Sequence, residues 1–184
     1  MQESVIACDD VRWNAIMDSI TKWNVTGRAA YIYSVCASAE VASEIKELCE
    51  YSKSLEIEFF ASVWDIDSAK LMSKYTKIAK LGSASITDLE LCRVTRELFD
   101  TVIISTGMST EEEIDMAIEA SKPDVIMHTN STYPCPPEDL NLRYMEHLRS
   151  KYGNNAEIGY SGHEYSLPTT YASVALGATW VERH

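Results

Sequence analysis

The sequence predicts an α/β protein built on a parallel sheet, and two observations carry this prediction. From residue 56 onward, short apolar runs alternate with amphipathic stretches, giving six strand-like segments at intervals of roughly 20 to 30 residues. No low-complexity segment or linker divides the 184 residues, so we expect one domain. Strands that alternate with helices are joined by right-handed crossovers, which makes the sheet parallel.

The first third of the chain shows the pattern less clearly. Apolar and aromatic residues in 11–23 fit one helical face, with an acidic cap at Asp9 or Asp10. The β-branched and aromatic run at 29–35 predicts a strand. Ser38 can cap a helix over 38–55, whose apolar side chains fall on one face.

The remaining elements follow in a regular order. Thr110 followed by three glutamates is a strong helix start, because Glu113 can close a capping box and acids suit the positive end of the helix dipole. A proline-rich loop at 133–137 is expected to shape a pocket. The predicted strands are 56–61, 77–82, 101–105, 124–127, 156–160 and 178–181. The predicted helices are 65–75, 87–99, 110–120, 138–151 and 167–177.

Composition excludes several classes of protein. The formal net charge of −12 argues against binding a nucleic-acid backbone, which needs clustered lysine and arginine. The five cysteines are odd in number and form no CxxC pair, which predicts reduced thiols and a cytoplasmic protein. No apolar run approaches about 18 residues and no basic, apolar leader opens the chain, so we expect no membrane partner.

Polar side chains cluster where the predicted strands end. Side chains at the carboxyl ends of neighbouring parallel strands converge on one mouth. Hydroxyls plus one lysine suit a phosphate or carboxylate ligand. Each serine could instead cap the following helix, and His128 could equally be a hydrogen-bonded core residue. The candidate residues are Ser62, Lys80, Ser83, Ser105, Ser131, Ser161, His163, Glu182 and His184.

Two imidazoles come directly after the last two predicted strands. His163 and His184 lie 21 positions apart in the sequence (184 − 163), yet they should face the same mouth. Together with the neighbouring Glu182, they could hold a divalent cation. Two ligands alone do not define a metal site, so a pair of solvated loop histidines stays open as an alternative.

Five segments resemble the sialic acid synthase family, which includes N-acetylneuraminate, legionaminic acid and pseudaminic acid synthases. The resemblance covers residues 56–184 and leaves 1–55 unassigned. The order of ISTGMST, YPCPPEDLNL and ERH is specific to that family. The segments are KLGSASITDLEL (80–91), VIISTGMSTEEEID (102–115), HTNSTYPCPPEDLNL (128–142), GYSGH (159–163) and VALGATWVERH (174–184).

The resemblance implies a (β/α)₈ TIM-type barrel and a transferase of carbohydrate biosynthesis. Such an enzyme condenses phosphoenolpyruvate with an amino sugar such as N-acetylmannosamine, giving a nine-carbon 2-keto acid and phosphate. By motif, His163 and His184 bind Mn²⁺, with Mg²⁺ or Co²⁺ as alternatives. Tyr133, against the sugar, and Glu182, beside the metal, are the candidate catalytic residues. The positions matching the substrate-binding residues are Ser62, Lys80, Ser83, Ser105, Ser131 and Ser161.

The chain departs from the family pattern in three respects. Gly162 stands where the family has an aspartate that would orient His163. The glutamate and lysine of the family's first two strands are missing from residues 1–55. The chain stops at His184, where family members continue, often into a small domain that reaches the partner's site in a homodimer. We therefore expect a partial barrel of six to seven strands that is weakly active or inactive alone.

Two other functions remain open on the sequence. Another metal-dependent barrel aldolase or sugar-phosphate enzyme could use the same mouth, and a Schiff-base aldolase would make Lys80 covalent with its substrate. A non-catalytic remnant would bind sugar or a longer partner chain without turnover.

Overall fold

The computed structural model describes residues 30–35, 39–165 and 167–183, with side chains from Ile45 onward. The helix predicted within 11–23 and the candidate metal ligand His184 lie outside the described residues. Within the described ranges, no helix has the length and apolar character needed to cross a membrane.

Seven strands alternate with six α-helices in the described part of the chain. The strands are β1 (Ala30–Val35), β2 (Glu58–Val63), β3 (Ile78–Leu81), β4 (Thr101–Ser105), β5 (Val125–Thr129), β6 (Glu157–Gly162) and β7 (Val181–Arg183). The helices are α1 (Ala39–Ser54), α2 (Ile66–Met72), α3 (Leu89–Leu98), α4 (Glu111–Ser121), α5 (Tyr144–Tyr152) and α6 (Pro168–Ala175). A short 3₁₀ helix, Pro137–Asp139, precedes α5.

The strands form one sheet in the order β1 to β7, and every neighbouring pair is parallel. Consecutive strands are therefore neighbours throughout, as in a barrel that is wound in one direction. This confirms the α/β class and the parallel sheet. The described residues contain seven strands, in line with the predicted six to seven.

Both faces of the sheet are buried, and each has its own apolar cluster. The larger cluster packs the sheet against the helices and includes the fully buried Tyr160 and Leu148. The smaller cluster lies on the other face and joins side chains of neighbouring strands. Its members are Phe60, Ile78, Ile103, Val125 and Met127, with Trp180 packed against them. A second apolar face is what a curled sheet with a filled interior requires.

The polar candidates share the inner face with this smaller cluster. Lys80 is two residues beyond Ile78, and Ser105 is two residues beyond Ile103. Because side chains alternate between the faces of a strand, residues two apart point the same way. The inner face is thus apolar near the amino ends of the strands and polar near their carboxyl ends.

Several predicted element bounds are wrong, among them the ends of β2 and β6, which contain Ser62 and Ser161. Strand β5 continues to Thr129, so His128 lies within the strand and not after it. Strand β7 begins at Val181, which pairs with Tyr160, and therefore contains Glu182. The helix predicted over 138–151 begins only at Tyr144, because Asn141 adopts a φ of 43° that ends the preceding 3₁₀ turn.

The predicted capping box of α4 is confirmed. The Thr110 side chain accepts from the backbone N–H of Glu113, and the Glu113 carboxylate accepts from the Thr110 N–H at 2.7 Å. These two bonds satisfy donors that a helix start otherwise leaves unpaired. They fix the chain direction just after the Gly107 loop, which enters the site described next.

Candidate active site at the carboxyl ends of the strands

Lys80 and Glu182 form a buried ion pair across the inner face of the sheet. The Nζ atom of Lys80 lies 2.8 Å from Oε1 and 2.7 Å from Oε2 of Glu182. The two side chains are only 7% and 8% exposed. Strands β3 and β7 are not neighbours in the sheet, so the contact spans the interior. The sheet must therefore curl until its third and seventh strands approach each other.

Two serine hydroxyls flank this ion pair through the strand register. Ser62 is the register partner of Lys80, and Ser161 is the register partner of Glu182. Ser62 is 6% exposed and Ser161 is 1% exposed, so both lie in the buried part of the mouth. The ion pair thus sits between hydroxyl groups on two sides.

Two hydroxyls at the strand ends have no hydrogen-bond partner among the described residues. They are Ser105 Oγ and Ser161 Oγ, and both residues are 1% exposed. A buried hydroxyl without a partner costs about 1–3 kcal/mol, so proteins generally keep such groups where a ligand or water completes them. Because these two hydroxyls lie on the inner face with the Lys80–Glu182 pair, we treat them as part of a candidate ligand site.

Gly107 brings Ser83 and Ser131 together. The Gly107 N–H donates to Ser83 Oγ at 3.1 Å. A Cβ atom added to Gly107 would lie 2.8 Å from Ser83 Oγ and closer still to Ser131 Oγ. Ser131 Oγ is itself buried without a partner among the described residues. Only a glycine therefore lets these two hydroxyls approach each other, and sequence reasoning gave Gly107 no role.

His163 and Tyr133 lie together beside the mouth. Their ring centroids are 5.1 Å apart, at an interplanar angle of 56°. The carbonyl of His163 accepts from the backbone N–H of Cys135 at 3.2 Å, which ties the proline-rich loop to the end of β6. Tyr133 is 65% exposed, so its ring is accessible to a ligand entering the mouth.

Within the described residues, no group of three His, Cys, Asp or Glu side chains converges to hold a metal ion. His163 supplies one imidazole at the mouth, while the nearby Glu182 carboxylate is engaged by Lys80. A metal site would thus need His184, which lies outside the described residues. The proposed divalent cation therefore remains a prediction.

His128 belongs to the core on the helix side of the sheet. It is 5% exposed, and its Nε2 lies 2.7 Å from the carbonyl oxygen of Leu140. Tyr144 and Tyr160 pack around the ring, with centroids 5.7 and 6.2 Å away. Burial lowers the pKa of His128, against the opposing effect of the Leu140 hydrogen bond. His128 is therefore a buried, hydrogen-bonded residue on the helix side of the sheet, and it also lines the groove beside Ser131.

Sequence reasoning also missed a buried network behind the mouth. Glu164 is 3% exposed and accepts from the Tyr160 hydroxyl at 2.8 Å. Thr169 and Arg183 also donate to its carboxylate. Burial alone would raise the pKa of Glu164, but these hydrogen bonds and the charge of Arg183 lower it below its usual value. The available signal was an acidic residue directly after His163.

A groove of about 720 Å³ opens beside Ser131, between the loops that follow β4 and β5. Its lining combines hydroxyl, amide and carboxylate groups with apolar side chains such as Met108, Ile114 and Leu140. Lining residues include Thr106, Ser109, Asn130, Ser131, Asp139 and Tyr144. The strand-end cluster therefore continues outward into a space that could hold a polyhydroxylated ligand.

A parallel sheet in which consecutive strands are neighbours defines a TIM-type barrel protein. The candidate site, with one lysine and several hydroxyls, lies at the carboxyl ends of the strands, where TIM-barrel proteins carry their active sites. The NeuB family model matches residues 14–184. The chain belongs to the NeuB family. The match begins upstream of residue 56, where the motif resemblance starts.

Curated relatives and solved structures agree with this assignment. N-acetylneuraminate-9-phosphate synthase of Drosophila melanogaster is 35% identical over 144 residues, which are 75% of this chain and 38% of that protein. N,N'-diacetyllegionaminic acid synthase of Campylobacter jejuni is 31% identical over 147 residues, 76% of this chain and 43% of that protein. The crystal structure of N-acetylneuraminic acid synthetase from Leptospira borgpetersenii has a TM-score of 0.81 at 23% identity, covering 94% of this chain and 67% of that one.

The matched region covers less than half of the length of the two curated relatives. The likeness to the Leptospira structure supports the barrel fold that the motifs implied. The expected membership of the sialic acid synthase family is confirmed by the family match and by the names of the relatives.

Proposed function

We propose that this chain is the phosphoenolpyruvate-binding part of a sialic acid-type synthase, which condenses phosphoenolpyruvate with an N-acetylated amino sugar. The observation that carries the proposal is the set of buried, unpartnered hydroxyls of Ser105 and Ser161 beside the Lys80 ammonium. Hydroxyl donors around one cation suit a ligand that carries both a phosphate and a carboxylate.

Phosphoenolpyruvate would be held from two sides of the mouth. Lys80 supplies the positive charge, while Ser105 and Ser161 supply hydrogen-bond donors from β4 and β6. Ser83 and Ser131 add two more hydroxyls around Gly107. Glu182 holds the Lys80 side chain at the mouth, and an incoming anion would share Lys80 with this carboxylate or displace it.

The reaction needs a carbon nucleophile beside an aldehyde. The C3 carbon of phosphoenolpyruvate forms a bond to the aldehyde carbon of the open-chain sugar, and the aldehyde oxygen takes up a proton. Water adds to the C2 carbon, and phosphate then leaves to give the 2-keto acid. Tyr133 would lie against the sugar, and its exposed ring beside His163 supports this role.

A divalent ion, Mn²⁺ being the first choice, would be bound by His163 and His184. When bound, such an ion polarises a carbonyl oxygen. The described residues fit this in part: His163 presents an imidazole at the mouth, at the end of a strand beside β7.

The Schiff-base alternative is less well supported by the geometry. A lysine that attacks a carbonyl must be a neutral amine. Lys80 instead contacts both oxygens of a carboxylate, which is the arrangement of an ammonium ion. Borohydride trapping in the presence of pyruvate would detect a covalent adduct at Lys80, and we expect none.

Isothermal titration of the full chain with phosphoenolpyruvate tests the proposal. We expect saturable binding that Lys80→Met abolishes. The matched control is Lys70→Met, which removes a lysine that is 61% exposed and far from the mouth. Equal binding by both variants, or absence of binding by the unmodified chain, would contradict the proposal. A second titration with N-acetylmannosamine, with and without Mn²⁺, then tests the acceptor and the ion.

A further inference from the structure

The end of β6 and the end of β7 are joined by a buried ion pair that the proposed reaction does not use. Arg183 donates through Nη1 to Oε1 of Glu164 and through Nη2 to the backbone carbonyl of the same residue. The Arg183 guanidinium thus hydrogen-bonds both the side chain and the backbone carbonyl of Glu164, the residue that follows His163. Two-point contacts of this kind fix geometry as well as charge.

The pair lies on the helix side of the sheet, directly behind the mouth. Its partner Tyr160 is fully buried in the cluster between sheet and helices, and Thr169 belongs to the first turn of α6. In the register, Gly162 pairs with Arg183, one step beyond the pair Ser161 and Glu182. The ion pair therefore supports the backbone that carries Ser161 and Glu182.

Gly162 is glycine because this ion pair fills the space beside it. A Cβ atom at position 162 would lie 2.7 Å from Glu164 Oε2, closer still to Arg183 Nη1, and 2.8 Å from Tyr160 Cε1. Approaches below 3.0 Å are ones that real Cβ atoms do not make. The Glu164 carboxylate and the Arg183 guanidinium thus occupy the volume that a side chain at position 162 would need.

We propose that Glu164 is a positioning residue that, through Arg183, holds Ser161 and Glu182 in the geometry that binds the anionic substrate. The inference rests on the proposed function, because the effect is transmitted to Lys80 through Glu182. Glu164 itself touches none of the reacting atoms.

The test is a relocation of the carboxylate. Glu164→Gln and Arg183→Met should each raise the Kd for phosphoenolpyruvate about 10-fold, the lower end of what supporting residues contribute. Gly162→Asp alone should be poorly stable, since it overpacks the site and adds a second carboxylate. Gly162→Asp combined with Glu164→Ala should restore the Kd to within about threefold, because the carboxylate returns within reach of Arg183.

The matched control is Glu157→Gln, at the opposite end of the same strand, where Glu157 accepts from Trp180 Nε1 at 3.2 Å. It should leave the Kd unchanged. All variants are titrated at a temperature at which circular dichroism shows them fully folded. A Kd that stays unchanged in Glu164→Gln, or that the relocated carboxylate fails to restore, would overturn the positioning role.

Hydrogen exchange measured by mass spectrometry separates this inference from the proposed function. In Glu164→Gln, peptides covering 157–165 should exchange faster, while those covering β3 and β4 keep their protection. This arm needs no ligand. If the unmodified chain binds no phosphoenolpyruvate, the proposed function is wrong, whatever the exchange measurement shows. If residues 157–165 exchange at the same rate in Glu164→Gln as in the unmodified chain, the positioning role is wrong, whatever the binding measurement shows.

Discussion

The Nζ atom of Lys80 lies within 2.8 Å of both carboxylate oxygens of Glu182, although the two residues are 102 positions apart in the sequence. The contact closes the inner side of the mouth between β3 and β7. The Glu182 carboxylate also neutralises the charge of Lys80. An anion that binds Lys80 must therefore displace this carboxylate or share the lysine with it.

The first prediction concerns the stability of this pair. Lys80→Ala or Glu182→Ala alone should lower the free energy of unfolding by about 3–5 kcal/mol, because each leaves one buried charge without its partner. Lys80→Met combined with Glu182→Leu should cost less than either single change, since no charge remains buried. Urea titration measures all three values.

The control for this cycle is the exposed pair of Lys70 and Asp67, whose charged atoms are 4.0 Å apart. Lys70→Met should change the free energy of unfolding by less than about 1 kcal/mol, as is usual for exposed pairs. A double variant at the buried pair that costs as much as the two single changes added together would contradict the prediction.

The second prediction separates binding from folding. Ser105→Ala and Ser161→Ala should leave the free energy of unfolding unchanged or slightly raised, because each removes a buried hydroxyl that has no partner among the described residues. The Kd for phosphoenolpyruvate should rise about 10-fold or more, as expected for a lost hydrogen bond to a charged group.

Ser121→Ala is the matched control, because Ser121 is also fully buried but donates to the Ala117 carbonyl at 2.7 Å, away from the mouth. It should lower stability and leave the Kd unchanged. The reverse pattern, with stability lost at Ser105 and Ser161 and binding retained, would show that these hydroxyls are structural.

The third prediction concerns Gly107. Gly107→Ala should displace the Ser83 and Ser131 hydroxyls, lower stability by about 1–3 kcal/mol through overpacking, and weaken phosphoenolpyruvate binding. Gly82→Ala is the control, because its Cβ would lie 3.7 Å from the Trp64 ring, an ordinary contact. Differential scanning calorimetry and titration should show a defect at Gly107 only; equal behaviour of both variants would refute the prediction.

The fourth prediction concerns pH. Burial lowers the pKa of His128 below its ordinary value of 6.5, so the unfolded chain binds more protons there than the folded one. Stability should therefore be complete above about pH 7 and fall as the pH drops through the ordinary value toward the lower folded one. His128→Gln, which keeps a donor for Leu140, should reduce that slope; urea midpoints between pH 5 and 8 measure it, and an unchanged slope would contradict the assignment.

Much of the inner face could be predicted because parallel strands impose it. Lys80 inside an apolar strand had to be paired or functional, and the strand-end rule placed Ser105 and Ser161 correctly at the mouth. Family resemblance added the roles, which strand periodicity alone does not contain.

Other features depended on contacts that sequence spacing does not encode. The Glu164–Arg183 pair joins the loop after β6 to the last residue of β7. The face of the sheet on which His128 lies depended on where β5 ends. The delayed start of α5 followed from one left-handed residue, Asn141, which helical periodicity gave no reason to expect. Such details depend on contacts between residues that are distant in the sequence, which form only when the chain folds.

The apolar layer formed by Phe60, Ile103 and Met127 also limits the route by which a ligand can enter and leave the candidate site. Within the described sheet, this layer fills the space beneath Lys80, so a ligand would reach the lysine from the side of the carboxyl ends of the strands. On the proposed function, the two substrates and the product would all pass through this opening, and a compound bound against Tyr133 would obstruct passage in both directions.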